Sequence, residues 1–399
     1  MPFNKGQEYV INQGVSFLRH GNRQVFEYDG LAGTGKSYTL MEILRRAGYS
    51  QRQILPMAYT GSAAIVMRTK GFKNATTIHS GLFKLDSQVK YDKDNSNVLM
   101  NTYFNAPESE DVFVVKDYID PEIKVIVIDE GYMVPIEMRP YIEKFGLPII
   151  VTGDAGQLPP INSLPAFLNH DNILHLTEIM RQSENDGIVY IANRVRLGLP
   201  IDTGVYGNVL VIEERDLSND MILASNIVLC GTNKKRETMN NFIRHDLFGI
   251  RDTLPVFGDR MICRKNNWNV EIDGIALANG LVGTVSEPVN MLTFDGRTFQ
   301  MDFVPDLLNR GFIGLTCDYK YLTSDVNTRK MIKRSKYSLG EKFEYAYAST
   351  THLAQGSEYP GGIYFEEYMG PDIQNNLNYV GVTRFRNWMI YVKKSRRFF

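Results

Sequence analysis

Gly30, Gly33, Gly35, Lys36 and Ser37 fall in the run Gly30-x4-Gly35-Lys36-Ser37, with the strand-like Val25 to Tyr28 before it and the helical Tyr38 to Arg46 after it. Glycines at these positions let the backbone curl until its amides point at anionic oxygens, and the following helix turns its positive dipole end towards them. Lys36 is placed to reach the β- and γ-phosphates of a nucleotide, and the Ser37 hydroxyl to take a place on Mg²⁺. An ordinary glycine turn explains neither the strand nor the helix around it. The second chemistry-bearing run is Val125-Ile-Val-Ile-Asp129-Glu130, a buried strand ending in two acids. Beside a phosphate-binding loop, Asp129 would hold Mg²⁺ and Glu130 would polarise an attacking water, since phosphoryl transfer needs charge neutralisation and a positioned nucleophile more than covalent chemistry. Alone, two acids at a strand end read as solvated side chains; with Lys36 and Ser37 they read as a nucleotide-hydrolysing centre.

Such loops need strands to carry them. Short β-like runs alternate with helical stretches at Val25 to Tyr28, Ile54 to Ala58, Val125 to Ile128, Pro148 to Val151, Ile227 to Cys230 and Ile363 to Phe365. This alternation predicts parallel α/β sheets with the chemistry on loops at the carboxyl ends of the strands. Four runs precede residue 160 and two follow residue 220, which suggests two sheets. Two stretches break the rhythm. Residues 83–120 hold the polar turn Asp92 to Asn97 and the acidic Glu108 to Asp111, and residues 286–343 hold Leu292 to Phe299, whose central Asp295-Gly296 is a hairpin signal. Both read as insertions into an α/β frame, and insertions of that size usually carry function or partner contacts.

The 399 residues suit two or three domains. With 43% hydrophobic and 22% charged residues, neither disorder nor a membrane span is indicated, and the N-terminal residues lack the apolar stretch of a signal peptide. Cys230, Cys263 and Cys317 are widely spaced, which predicts a reducing cytoplasm and no structural zinc. A net charge of −1 means that a polyanion would be held by local patches. The basic runs Arg329 to Lys336 and Lys393 to Arg397 read first as solvated surface.

The run Ile150-Val-Thr-Gly153-Asp154-Ala-Gly-Gln157-Leu-Pro159-Pro160 narrows the class. It resembles motif III of superfamily 1 helicases, in the Gln-Leu-Pro-Pro form of the RecD/Dda-like branch. Further blocks resemble the same family in order and spacing. Phe3 to Gln7 is similar to the Q-motif, Tyr59-Thr60-Gly61 to Ala64 to motif Ia, and Thr76-Thr77-Ile78-His79 to the Thr-x-His element. Thr177 to Gln182 is similar to motif IV, Ala348 to Glu358 to motif V, and Tyr379 to Arg386 to motif VI.

The resemblance implies an α/β protein of two RecA-like P-loop domains, 1A (1–82 and 121–190) and 2A (191–285 and 344–399). It also implies a small inserted domain 1B (83–120) with a β-hairpin pin and a domain 2B (286–343) of SH3-like β structure. ATP and Mg²⁺ would lie between 1A and 2A, contacted by Gln7, Gly33, Thr34, Gly35, Lys36, Ser37, Asp129 and Glu130. Gln157 would sense the γ-phosphate, Arg181 and Arg384 would act as arginine fingers suited by their planar fork, and Glu358 would accept from the ribose. Arg386 reads better as a surface ion pair. Thr60, His79, Thr351 and His352 would face single-stranded DNA through its phosphates, with a buried core histidine as the alternative at position 79. Trp268 and Phe104 are candidates for stacking on bases.

The implied activity is a 5′–3′ ATP-dependent DNA helicase that ratchets along one strand as its two domains open and close. Its partners would be single-stranded DNA, the single-/double-strand junction, and a single-stranded-DNA-binding or replisome protein. A monomer in the cytoplasm of a bacterium or phage-infected cell is expected. Two alternatives remain at this point: an RNA-directed motor of the same superfamily, and a P-loop switch acting on a protein partner. The second leaves Gln157 with Pro159-Pro160 and the late blocks at 351–358 and 383–386 unexplained.

Overall fold

A computed structural model describes residues 2–86, 98–99, 112–160, 163–168, 173–178, 186–287, 289, 294–334 and 339–394. The chain divides into two compact units. The first comprises Met1–Pro56, Glu122–Gly249 and Tyr347–Phe399; the second comprises Met57–Pro121 and Ile250–Ala346.

The first unit contains two largely parallel sheets, as the alternation of strand and helix predicts. In one, the strands lie in the order Ile54–Ala58, Val125–Asp129, Ile149–Gly153, Val25–Gly30 and Leu174–Leu176. Val125–Asp129 and Ile149–Gly153 are buried along their whole length. This burial accounts for their near-continuous β-branched composition, because helices cover both faces of a parallel sheet. The helix Lys5–His20 starts at Asn4 in a reciprocal capping box with Gln7, a device that contributes about 1 kcal/mol. The helix Lys36–Ala47 begins and ends at left-handed glycines, Gly35 and Gly48, and buries Leu40, Ile43 and Leu44 on one face.

The other sheet runs Gly204–Tyr206, Val209–Glu213, Phe385–Lys393, Tyr359–Phe365, Val228–Cys230 and Ala348–Thr350. Every pairing is parallel except the antiparallel edge between Gly204–Tyr206 and Val209–Glu213. The helices Gly187–Arg196 and Pro371–Thr383 pack over it, and Ile188, Ile191, Val195, Tyr379 and Val382 share its apolar core.

The second unit centres on a five-stranded antiparallel sheet in the order Phe312–Asp318, Thr298–Pro305, Val282–Val285, Arg260–Cys263 and Phe343–Tyr345. Arg260–Cys263 pairs with Val282–Val285 on one side and Phe343–Tyr345 on the other, so the inserted β element expected at 286–343 starts upstream of residue 286. The segment expected in the first motor domain at 57–82 also groups with this unit. Its polar side chains bond there: Ser62 Oγ donates to Gly280 O, Arg68 to Asp273 O and Thr76 Oγ1 to Gly274 O. The Asp295 turn forms, with its carboxylate accepting from the amides of Arg297 and Thr298, whereas residues 290–293 lie outside the described residues. Of the 83–120 insertion, three short strands are described, in the order Phe83–Asp86, Val112–Val115 and Val98–Leu99. Phe104 and the polar turn at 92–97 fall outside the described residues. In the basic run from 329, Arg329 lies in the helix Val326–Arg334 and donates to the carbonyls of Tyr321 and Leu322, so this guanidinium caps structure within its own unit.

Candidate nucleotide site

The strand Val25–Gly30 delivers the chain to the loop, and its last residue has to be glycine. A Cβ at Gly30 would lie 2.5 Å from Thr34 Oγ1 and 2.9 Å from Leu176 Cβ. Gly33 and Gly35 adopt φ of 85° and 81°, a region costly to other residues. The Thr34 hydroxyl, fully buried, donates to Leu31 O at 2.9 Å and ties the loop to itself. Lys36 Nζ donates to Gly30 O at 2.6 Å and Leu31 O at 3.3 Å, which holds the ammonium over the loop that the helix follows. Gln7 also lies on this loop. Its Nε2 donates to Thr34 O at 3.0 Å while its Oε1 accepts from Asn4 N at 3.1 Å, so the capping box of the first helix fixes the amide against the P-loop.

At the end of Val125–Asp129, Glu130 has φ 55° and ψ 41°. A left-handed glutamate costs about 1–3 kcal/mol and persists only where neighbours enforce it. Here Asp129 Oδ1 accepts from the Glu130 amide at 3.0 Å, and the next residue must be glycine because a Cβ at Gly131 would lie 2.2 Å from Val151 Cγ1. The Glu130 carboxylate accepts from Gln157 Nε2 at 3.1 and 3.3 Å. Gln157 Oε1 is buried with no hydrogen-bond partner among the described residues. Asp154, three residues earlier, is almost fully buried. Burial pushes its carboxyl above the ordinary carboxylate range, and the nearby Lys36 ammonium and a hydrogen bond from Tyr379 oppose that shift.

Sequence reasoning missed the partner of this loop. The Tyr379 hydroxyl donates to Asp154 Oδ2 at 2.6 Å and accepts from the amide of Ala32 in the P-loop at 2.9 Å. Asn376 Nδ2 donates to Gln157 O at 3.0 Å, and Gln355 Nε2 donates to Leu158 O at 3.1 Å. The signal was the position of Tyr379 three residues after Asn376 on one helix, which puts both side chains on one face.

The structure thus brings Gln7, Thr34, Lys36, Glu130 and Gln157 to the carboxyl edge of one sheet, with Ser37 opening the helix there. Other expected site residues lie elsewhere or are engaged otherwise. Arg181 is outside the described residues. Arg384 is buried and donates to Val380 O, Ser357 O and Thr383 Oγ1 at 3.1–3.2 Å. Arg386 pairs with Glu358 at the surface, the arrangement expected of that arginine, so the carboxylate expected at a ribose is engaged with a guanidinium. Thr351 is fully buried, and its amide and hydroxyl donate to Cys230 O; His352 is half-buried, which lowers its pKa. Thr60 caps the helix Gly61–Thr69 by accepting from Ala63 N. His79 is 4% exposed, packed among Tyr59, Phe83 and the half-buried Trp268, with ring centroids 6.0, 6.0 and 5.3 Å away.

A glycine-rich loop between a parallel strand and a helix, faced by an Asp-Glu strand end, is the architecture of a P-loop nucleotide-binding protein. Residues 3–206 match the family model described as an AAA domain, and the chain belongs to that family. Among curated relatives, an uncharacterised protein, R530, of Acanthamoeba polyphaga mimivirus is 25% identical over 200 residues, covering 46% of this chain and 40% of that protein. The ATP-dependent DNA helicase RRM3 of Saccharomyces cerevisiae is 26% identical over 219 residues, covering 48% of this chain and 27% of that one. The matches therefore reach less than half the length of either relative. Solved structures align along nearly the whole chain. A Bacteroides Pif1 bound to single-stranded DNA is 16% identical, covering 98% of this chain and 92% of that chain with TM-score 0.54. The Pif1 helicase of Candida albicans is 17% identical, covering 98% and 94% with TM-score 0.52. At such identities the likeness is one of fold, and the fold is the two-domain α/β architecture of the Pif1 helicases.

Burial lowers the pKa of His79 from 6.5 to about 4. Between those values the unfolded chain binds the proton and the folded chain does not, so stability rises with pH through this window and is lost on acidification. The loss between pH 7 and pH 4 amounts to about 3 kcal/mol for this residue. Melting temperature measured from pH 7 to 4.5 should fall in the wild type and fall less steeply in His79→Leu. Parallel profiles would show that the histidine is not buried as described.

Proposed function

We propose that the chain is an ATP-dependent DNA helicase that moves 5′–3′ on single-stranded DNA and separates the duplex at a single-/double-strand junction. The observation that carries this reading is the loop Asp154–Leu158, which touches the first sheet's catalytic acid through Gln157 and the second sheet's helix through Tyr379 and Asn376. A loop shared in this way lets hydrolysis and the separation of the two sheets drive each other. The relatives support the choice of motor: RRM3 is an ATP-dependent DNA helicase, one Pif1 structure concerns DNA unwinding at forked double-stranded DNA, and another holds ADP-AlF3 with single-stranded DNA.

The residues at the loop fit ATP with Mg²⁺. The left-handed glycines leave amides free to turn inward, hard oxygen donors from Ser37 and Asp129 suit Mg²⁺, and the orphaned Gln157 Oε1 supplies a buried acceptor. Bound Mg²⁺ neutralises charge on the phosphate oxygens. Lys36 would bind β- and γ-phosphate oxygens in place of the Gly30 and Leu31 carbonyls that it now contacts. Glu130 would draw the proton from the attacking water, and Gln157, bonded to Glu130, would orient that water. Arg181 and Arg384 are the proposed fingers. For Arg384 the role requires release of its bonds to Val380 O, Ser357 O and Thr383 Oγ1 as the sheets close. Thr60, Thr351, His352 and Trp268 remain the proposed DNA contacts; for Thr351 the role requires release of the donors that it now gives to Cys230 O. A single-stranded-DNA-binding or replisome protein is the proposed protein partner. The 83–120 insertion is the proposed strand-separating element, and the 286–343 insertion the proposed SH3-like domain. The buried, unpaired Cys230, Cys263 and Cys317 favour a reducing cytoplasm. Among the described residues no helix is long and apolar enough to cross a membrane.

Glu130→Gln should retain nucleotide and DNA binding while lowering kcat by roughly 10²–10⁴-fold, the usual contribution of a positioned general base. Loss of binding along with turnover would make the residue structural. Direction is read by unwinding of duplexes bearing either a 5′ or a 3′ single-stranded tail. Strand separation on the 5′-tailed substrate alone is expected, and separation on the 3′-tailed substrate alone would reverse the assigned polarity.

A further inference from the structure

Tyr379 is a buried tyrosine whose hydroxyl has a separate use for each of its two hydrogen-bonding capacities. It accepts from the Ala32 amide, which belongs to the phosphate-binding loop, and it donates to Asp154 Oδ2, which begins the loop carrying Gln157. Asp154 Oδ1 in turn accepts from the Gly156 amide at 2.9 Å, and Asp154 O accepts from Gln157 N at 3.1 Å. The same helix anchors the far end of this loop. Asn376 Nδ2 donates to Gln157 O, and Leu158 packs with Leu377 and Val380. Glycine at 156 admits the ring, since a Cβ there would already stand 3.3 Å from Tyr379 Cε1. Burial beside Asp154 raises the phenol pKa and keeps the hydroxyl a donor at all working pH values.

We propose that Tyr379 is a positioning residue: its hydroxyl joins the P-loop to the Asp154–Leu158 loop and thereby sets where Gln157 lies against Glu130. Because Tyr379 stands on the helix Pro371–Thr383 of the second sheet, the placement of Gln157 depends on where that helix sits, and the rate of hydrolysis follows it. Asn376 is the second point of attachment. This inference rests on the reading of the site as an ATP-hydrolysing one. Its physical part, the tether, stands on the hydrogen bonds alone.

Tyr379→Phe keeps the ring and deletes only the connecting oxygen. In the full chain it should lower kcat for ATP by about tenfold, the effect of one lost hydrogen bond expressed in the transition state, and change KM by less than about twofold. Combined with Gln157→Ala, it should cause no further loss, because both act through one group. Amide hydrogen exchange in the peptide spanning 154–158 should accelerate in Tyr379→Phe. Unchanged kcat, full multiplication of the two losses, or unchanged exchange would each overturn the proposal. If Tyr379→Phe fails to fold, Asn376→Ala carries the same test, with faster exchange at 154–158 and lower kcat expected. A wild-type chain that hydrolyses no ATP would defeat the functional reading above, and the exchange comparison would then decide the tether by itself.

Discussion

Three neighbouring parallel strands that end on one edge of a sheet set the terms for everything else in this molecule. Val25–Gly30, Val125–Asp129 and Ile149–Gly153 are paired so that Asp29 stands opposite Gly153 and Ile128 opposite Val151. Parallel pairing forces all three to deliver their next residues to the same side. The P-loop, the Asp129-Glu130 acids and the Asp154–Leu158 loop therefore meet without any of them being near another in sequence. The strands are buried on both faces, so this register is held by their packed side chains, β-branched in Val125–Asp129 and Ile149–Gly153 and aromatic at Phe26 and Tyr28. The cost appears where the chain leaves the sheet, in the left-handed Glu130 and in the glycines at 30, 33, 35 and 131.

The same constraint explains how a second sheet can act on the first. The Asp154–Leu158 loop reaches Glu130 through Gln157 and is completed by the helix Pro371–Thr383. The junction is mixed: Tyr379, Asn376 and Gln355 donate to Asp154, Gln157 and Leu158, while Leu158 packs with Leu377 and Val380. Such hydrogen bonds contribute about 1 kcal/mol each and can be exchanged for others with water at small net cost, as the proposed opening and closing of the two sheets would require. A dry apolar interface of similar size would hold the halves together more firmly.

Much of this was legible in the sequence. Val125 to Asp129 reads as a buried strand because nothing interrupts its β-branched run, and Gly30 to Ser37 reads as a P-loop because glycine spacing encodes a backbone shape directly. Phe385–Lys393 was not read as a strand, although it lies inside the second sheet: the exposed, polar Arg386 and Asn387 interrupt its apolar run, and it follows the arginine-bearing block without a turn signal. The start of the antiparallel sheet at Arg260 was missed because four-residue strands carry little periodicity and this one is defined by partners 20 and 80 residues away. Tyr379 opens the block that resembles motif VI, and only the distant Asp154 shows what its hydroxyl holds. Arg384 and Thr351 look like surface contacts in a linear motif, yet the fold turns both inward, where backbone carbonyls take up their donors.

Whether the proposed site hydrolyses ATP in response to single-stranded DNA is read by steady-state ATP turnover with and without an oligodeoxynucleotide, in the wild type and in Lys36→Ala. Turnover should rise when the single strand is added and disappear in Lys36→Ala. Turnover indifferent to the strand, or preserved without Lys36, would contradict the proposal.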